Sequence, residues 1–228
     1  MRPMHGFGLF IAAGALRGLR IICFPKEVMM KKTLVMCAAV TTALACPLSA
    51  SALSHTVVRG DTMWKLAVKY EVGTQEIIDA NPQIQNPNLI YPGQQLTIPE
   101  LDSAVTAYEK EVVRLVNVQR SQHGLQPLRE NWELSRVARF KSQDMADHRY
   151  FSHTSPTYGT PFQMIRAFGL SFRTAGENIA YGQRTPHAVV NAWMNSSGHR
   201  ANILNAAYTQ IGVGYVADGN YWTQMFIG

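Results

Sequence analysis

Tyr208-Thr-Gln-Ile-Gly-Val-Gly-Tyr-Val-Ala217, then Asp218-Gly219, then Tyr221-Trp-Thr-Gln-Met-Phe-Ile227 form the stretch that decides the fold. Two runs rich in β-branched and aromatic residues flank an Asp-Gly pair, whose backbone accepts the positive φ of a tight hairpin. The stretch therefore reads as two antiparallel strands. Upstream the period changes to that of helices. Over 104–122, Val105, Val112, Leu115, Val116 and Gln119 keep near one face, with Glu109, Lys110 and Arg114 mostly outward. His123-Gly124 stops that helix, and Asn131 is placed to cap the next, whose inward residues are Leu134, Val137, Ala138, Phe140 and Met145. Helices over about 161–168 and 186–194 each open on the proline favoured in a first turn. Helices followed by a terminal hairpin imply an α+β fold.

The chain has 228 residues and a formal net charge of +6, from 21 Lys and Arg against 15 Asp and Glu. The excess is local. Arg2, Arg17, Arg20, Lys26, Lys31 and Lys32 all precede residue 53, where the only acid is Glu27. Beyond that point the balance is close to neutral, which removes the basic surplus that nucleic-acid binding requires. Lys31 and Lys32, the apolar run from Thr33 to Ala45 and the small residues ending Ala50-Ser-Ala52 match the three regions of a secretory signal, so 29–52 is expected to be a signal peptide. Met29 and Met30 stand directly before the lysines, so 1–28 reads as an extension ahead of the true start. The apolar run is shorter than the roughly 20 residues that span a bilayer, and no transmembrane segment is expected in the mature chain. Cys23, Cys37 and Cys46, the three cysteines, all lie in this leader, so the exported remainder relies on its core rather than on disulfides. Cys46 follows Leu44-Ala45, which leaves lipid anchoring there as a second route to the envelope.

Residues 54–99 read as a unit. His55-Thr-Val-Val-Arg59 alternates as a strand, and Gly60-Asp61 turns. A helix through Lys69 carries Trp64, Leu66, Ala67 and Tyr70, and a second carries Ile77, Ile78 and Ala80 until Asn81-Pro82 ends it. Tyr91-Pro-Gly leads into a strand holding Leu96 and Ile98 inward. Val58-Arg-Gly-Asp-Thr-Met-Trp64, Ile78-Asp-Ala-Asn-Pro82 and Ile90-Tyr-Pro-Gly-Gln-Gln-Leu96 closely resemble the lysin motif, LysM, a βααβ module. The resemblance implies binding of peptidoglycan or other N-acetylglucosamine-containing glycans in a groove between two loops, here Gly60 to Met63 and about 87–91. On that basis Gly60, Asp61, Thr62 and Asn88 are candidate hydrogen-bonding positions, with Met63 and Ile90 against the sugar face; Asp61 and Thr62 equally suit a helix cap.

After a linker at 100–104, residues 105–228 carry Asn117-Val-Gln-Arg120, Phe151-Ser-His153, Gly176-Glu-Asn-Ile-Ala180, Ala192-Trp-Met194, Gly198-His-Arg-Ala-Asn-Ile-Leu204 and Tyr221-Trp-Thr-Gln224. This set resembles the CAP superfamily (SCP/PR-1-like) in its bacterial branch, which implies a three-layer α-β-α sandwich with a central cleft. Together with LysM it is similar to the YkwD and SafA-type proteins of the wall or spore envelope, with envelope or spore-coat proteins as further partners. In the family the cleft holds two histidines and two acids, sometimes around a divalent cation. His153 and Glu177 match the first of each. Tyr221 stands where the second histidine is usual, ahead of Gln224, and His199 is the residue type that could replace it. Two imidazoles, His153 and His199, are the expected ligands should zinc bind; no cofactor is required by the residues themselves. The expected function is wall attachment through LysM with a CAP cleft for a ligand or partner, the alternative being a metal-assisted or acid-base hydrolase of wall peptide or glycan.

Overall fold

The computed structural model describes residues 52–228. The extension expected over 1–28, the signal peptide except Ala52, and the candidate lipid site Cys46 lie outside the described residues.

The N-terminal module runs β1 (Ala52–Thr56), α1 (Met63–Tyr70), α2 (Thr74–Asp79) and β2 (Gln95–Pro99), with the two strands antiparallel. Its order is the expected one, but β1 starts ahead of His55, because Ala52, Leu53 and Ser54 pair with Pro99, Ile98 and Thr97. Val57, Met63, Leu66, Ala67, Ile77, Leu96 and Ile98 form its core. Trp64 departs from its expected place: with 63, 66 and 67 facing inward, it falls about 100° round the helix and is 65% exposed. Asn81 joins the module's two ends. Its amide donates to the carbonyls of Ile77 and Thr97 and accepts the Thr97 N–H.

The second domain comprises α3 (Ser103–Gln122), β3 (Arg129–Glu130), α4 (Trp132–Asp147), α5 (Pro161–Ala167), β4 (Ala175–Tyr181), α6 (Pro186–Met194), α7 (Ser197–Ile203), β5 (Gln210–Val216) and β6 (Tyr221–Ile227). The Asp102 carboxylate caps α3 by accepting the Ala104 N–H at 2.7 Å, so the helix begins inside the expected linker. Asn131 caps α4 as its position predicts, accepting the Leu134 N–H at 3.0 Å. The hairpin β5–β6 forms around Gly219 at φ 75°. The sheet order is β3-β5-β6-β4, parallel only between β3 and β5.

Alternation along the strands sends two side-chain sets to opposite faces. Ile211, Val213, Tyr215, Trp222, Phe226 and Ala180 pack with Val112 and Val116 of α3 and Val189 and Trp193 of α6. Met225 on the other face packs with Leu134, Val137 and Ala138 of α4. The result is a three-layer α-β-α sandwich, as the family resemblance implies. Gly212 and Gly214 let α4 approach: a Cβ there would stand 2.3 Å from Leu134 and 2.2 Å from Ala138 backbone carbon. The motif residue Arg120, 1% exposed, ties α3 to the far loop by donating to the carbonyls of Gln126, Ile203, Asn205 and Tyr208.

The module and the domain meet across an ion pair. Arg136 of α4 grips Glu76 of α2 through Nε and Nη2 at 2.5 and 2.8 Å, and its guanidinium lies over Phe140 and Phe168. Beside this fork, Val72, Leu101, Phe140 and Val216 line a cavity of about 320 Å³.

Candidate functional site

Glu177 lies on β4, whose face toward α4 also carries Ile179 and Tyr181; across the register stand Met225, Thr223 and Tyr221 of β6. The loop after α4 brings His153 over this strand. Its Nδ1 is 2.7 Å from Glu177 Oε1. Facing a carboxylate, Nδ1 carries the proton and donates, which leaves Nε2 free to accept one. The Glu177 side chain is 2% exposed and that of His153 54%, so an acid behind the surface holds an imidazole at it. Glu177 Oε2 is buried without a partner among the described residues.

Two buried charges on α4 shape the loop. Lys141 Nζ donates to the Ser152 carbonyl at 2.7 Å and to the Tyr150 hydroxyl at 3.0 Å. The Tyr150 hydroxyl donates in turn to the Asp144 carboxylate, which also accepts from Ser155 Oγ at 2.7 Å and Thr157 Oγ1 at 2.6 Å. Ser155 Oγ in turn accepts the N–H groups of Thr157 and Tyr158. The loop is thus tied on both sides of His153.

Electrostatics follow from this burial. The hydrogen bond to Glu177 holds His153 above the ordinary histidine value, while burial raises the Glu177 carboxyl against the opposing pull of His153 and Lys141. The directions agree physically: the buried acid is desolvated, and the exposed ring gains a partner. Burial lowers Lys141, with Glu177 and Asp144 opposing. Burial opposes the acidity of Asp144, yet the hydroxyls of Ser155, Thr157 and Tyr150 outweigh it and lower its value. His199 is lowered, by burial first and then by the charge on His153.

The five cleft candidates separate. His153 and Glu177 come together. His199, on α7, lies near enough to feel His153, but the bond from this residue into the sheet is made by its carbonyl, which accepts from Asn178 Nδ2 at 3.1 Å. Tyr221 lies on Glu177's face but packs its ring on Tyr181, 4.6 Å between centroids. Gln224 is a correction: strand alternation turns it to the opposite face, where it is wholly buried and accepts from Asn178 at 3.0 Å. Among the described residues no three His, Cys, Asp or Glu side chains gather as a metal site needs, so His153 and His199, the ligands named should zinc bind, are not joined by a third donor.

In the N-terminal module Gly60 holds φ 94°, which favours glycine, and Asn88 is exposed. Asp61 is committed within the fold: its Oδ2 accepts the Val58 N–H and meets His55 Nε2, both at 2.9 Å. Thr62 caps α1 by accepting the Lys65 N–H. Met63 is 4% exposed and packs in the core, so its side chain does not offer the expected sugar contact; Ile90 is half-buried against the same core.

Lys141, Asp144 and Tyr150 are site-shaping residues beyond the candidates that the motifs supply. The signal was present in α4: Leu134, Val137, Ala138 and Met145 define the inward face, and 141 falls on it, so a lysine there must be buried with partners.

Residues 113–226 match the model of the cysteine-rich secretory protein family, CAP, and 55–99 match the LysM domain. The chain belongs to the CAP family. Bacillus subtilis (strain 168) YkwD is 60% identical over 132 residues, 58% of this chain and 51% of that protein. The chain thus spans about half the length of this curated relative. Over LysM, the spore coat assembly protein ExsA of Bacillus cereus is 44% identical across 45 residues, 20% of this chain and 7% of ExsA. An extracellular SCP-domain protein of Bacillus anthracis str. Ames superposes with a TM-score of 0.53 at 35% identity, covering 60% of this chain and 47% of that one. The CAP domain therefore contains the His153–Glu177 pair, and the LysM domain the Gly60 and Asn88 loops. No helix among the described residues is long and apolar enough to cross a membrane.

Proposed function

We propose that this chain is an exported wall-binding protein whose LysM domain holds peptidoglycan or a related N-acetylglucosamine polymer, while its CAP domain presents a ligand cleft centred on His153 and Glu177. The observation that carries the reading is the LysM match over 55–99 joined to its loop geometry. Gly60 keeps the first loop in a left-handed turn, and Asn88 stands exposed on the second. The likeness of this LysM to that of a spore coat assembly protein supports a wall or spore-envelope location. The test is sedimentation with purified peptidoglycan. Wild-type chain is expected in the pellet, and Gly60→Val, which the positive φ cannot accommodate without strain, is expected to remain largely in solution. Equal pelleting of both would refute the proposed holding of the polymer by the Gly60 loop.

The second reading, an acid-base hydrolase of wall peptide or glycan, draws on the free Nε2 of an imidazole backed by a buried carboxylate, the arrangement of a general base. Asp144 does not supply a second working acid, since three hydroxyls occupy it.

A further inference from the structure

We propose that the exposed rings of Phe151 and Tyr181, backed by the half-buried ring of Tyr221, form a saccharide-binding platform on the CAP domain, taking a hexosamine ring of the polymer that LysM holds. The identity of that polymer rests on the reading above. Phe151 and Tyr181 are each 53% exposed, with centroids 6.3 Å apart, and Tyr181 continues onto Tyr221 at 4.6 Å. Phe151 precedes His153 by two residues, and Tyr181 follows Glu177 by four on the same strand face. Loop and strand therefore run side by side, the rings at one end and the acid-imidazole pair at the other, roughly 7 to 13 Å away at about 3.3 Å per residue.

The platform is set before any ligand arrives. Gly219 backs it: a Cβ there would stand 2.7 Å from the Tyr221 ring and 3.1 Å from that of Tyr181. The turn is held by the Tyr215 hydroxyl donating to Asn220 Oδ1 at 2.8 Å and the Gly182 N–H donating to the Asn220 carbonyl at 3.0 Å. Rings already in place lose little freedom on binding.

The rings select the occupant together with the domain that shares their chain: a pyranose offers aromatic rings its C–H face, and the LysM match over 55–99 points to a polymer built of such rings. A peptide adding as a strand to β4 finds its way closed. The outward carbonyls of Ala175, Glu177 and Ile179 already accept from the Tyr208 hydroxyl at 3.1 Å, Asn202 Nδ2 at 3.1 Å and Trp193 Nε1 at 3.2 Å.

Calorimetry of the full chain with an N-acetylglucosamine tetrasaccharide tests this. Two sites are expected, one lost in Gly60→Val and the other weakened about tenfold in Tyr181→Ala and in Phe151→Ala. Phe151→Ala alters an exposed loop side chain and keeps the result readable should Tyr181→Ala not fold. Loss of all binding in Gly60→Val, or binding indifferent to Phe151→Ala, overturns the platform and leaves LysM intact. A single site in the wild-type chain, unchanged in Gly60→Val and weakened in Phe151→Ala, upholds the platform and removes the LysM reading. Binding of a sugar-free stem peptide in place of the saccharide also overturns the proposal.

Discussion

Lys141 and Asp144 face inward from one side of α4 and meet at the Tyr150 hydroxyl, which accepts from the ammonium and donates to the carboxylate. Such groups persist in a core only where their partners are complete, and here the partners are the loop that delivers His153. His153 itself can be followed by nitrogen-detected NMR. It is expected to titrate above the 6.5 of an unperturbed histidine and to move down in Glu177→Gln, with His199 titrating below that value. The sign follows from its hydrogen bond to the acid: the stability contributed by His153 is full below its unfolded pKa and lost as pH rises through the higher folded one. An unchanged His153 curve in Glu177→Gln would show that the pair does not form in solution. Residue types with matched neighbours, His153 and Glu177, could be read from the sequence. That Gln224 and Tyr221 part company follows from strand alternation, but which of them shares the face of Glu177 depends on which face of β6 meets α4.

At the scale of elements, periodicity carried most of the reading. The helices α3, α4 and α6 and the final hairpin show their apolar spacing directly. β4 and α7 do not: Gly176, Glu177 and Asn178 lack strand propensity, and the segment becomes a strand because β6 pairs with all seven of its residues. The same sheet explains Gly212 and Gly214 as contact residues for α4. Gly214→Ala is expected to cost about 1–3 kcal/mol in denaturant unfolding, since its Cβ meets helix backbone that cannot move aside. Gly198→Ala is the control. It has open space and an ordinary φ in α7, and should be neutral or stabilising by up to ~1 kcal/mol. Equal effects at both positions would mean that α4 does not lie this close to β5.

Across the whole molecule, the fork of Arg136 on Glu76 sets LysM against the CAP domain, with side chains 23% and 30% exposed. The pair is worth on the order of 1 kcal/mol, enough to bias orientation but not to fold either part. Arg136→Ala is expected to leave both cores intact and let the two parts tumble separately, seen as divergent rotational correlation times in NMR relaxation. A single shared correlation time in the variant would assign the coupling to the apolar seam around Leu101 and Phe140 instead. The capped rim of β4 has a consequence at larger scale still. A protein gathered on a polymer surface meets its own copies at high local density, where an open sheet edge invites strand-to-strand fusion. With three of its carbonyls already taken by tyrosine, asparagine and tryptophan side chains, β4 offers a neighbouring copy few acceptors to zip onto, whatever surface gathers the copies.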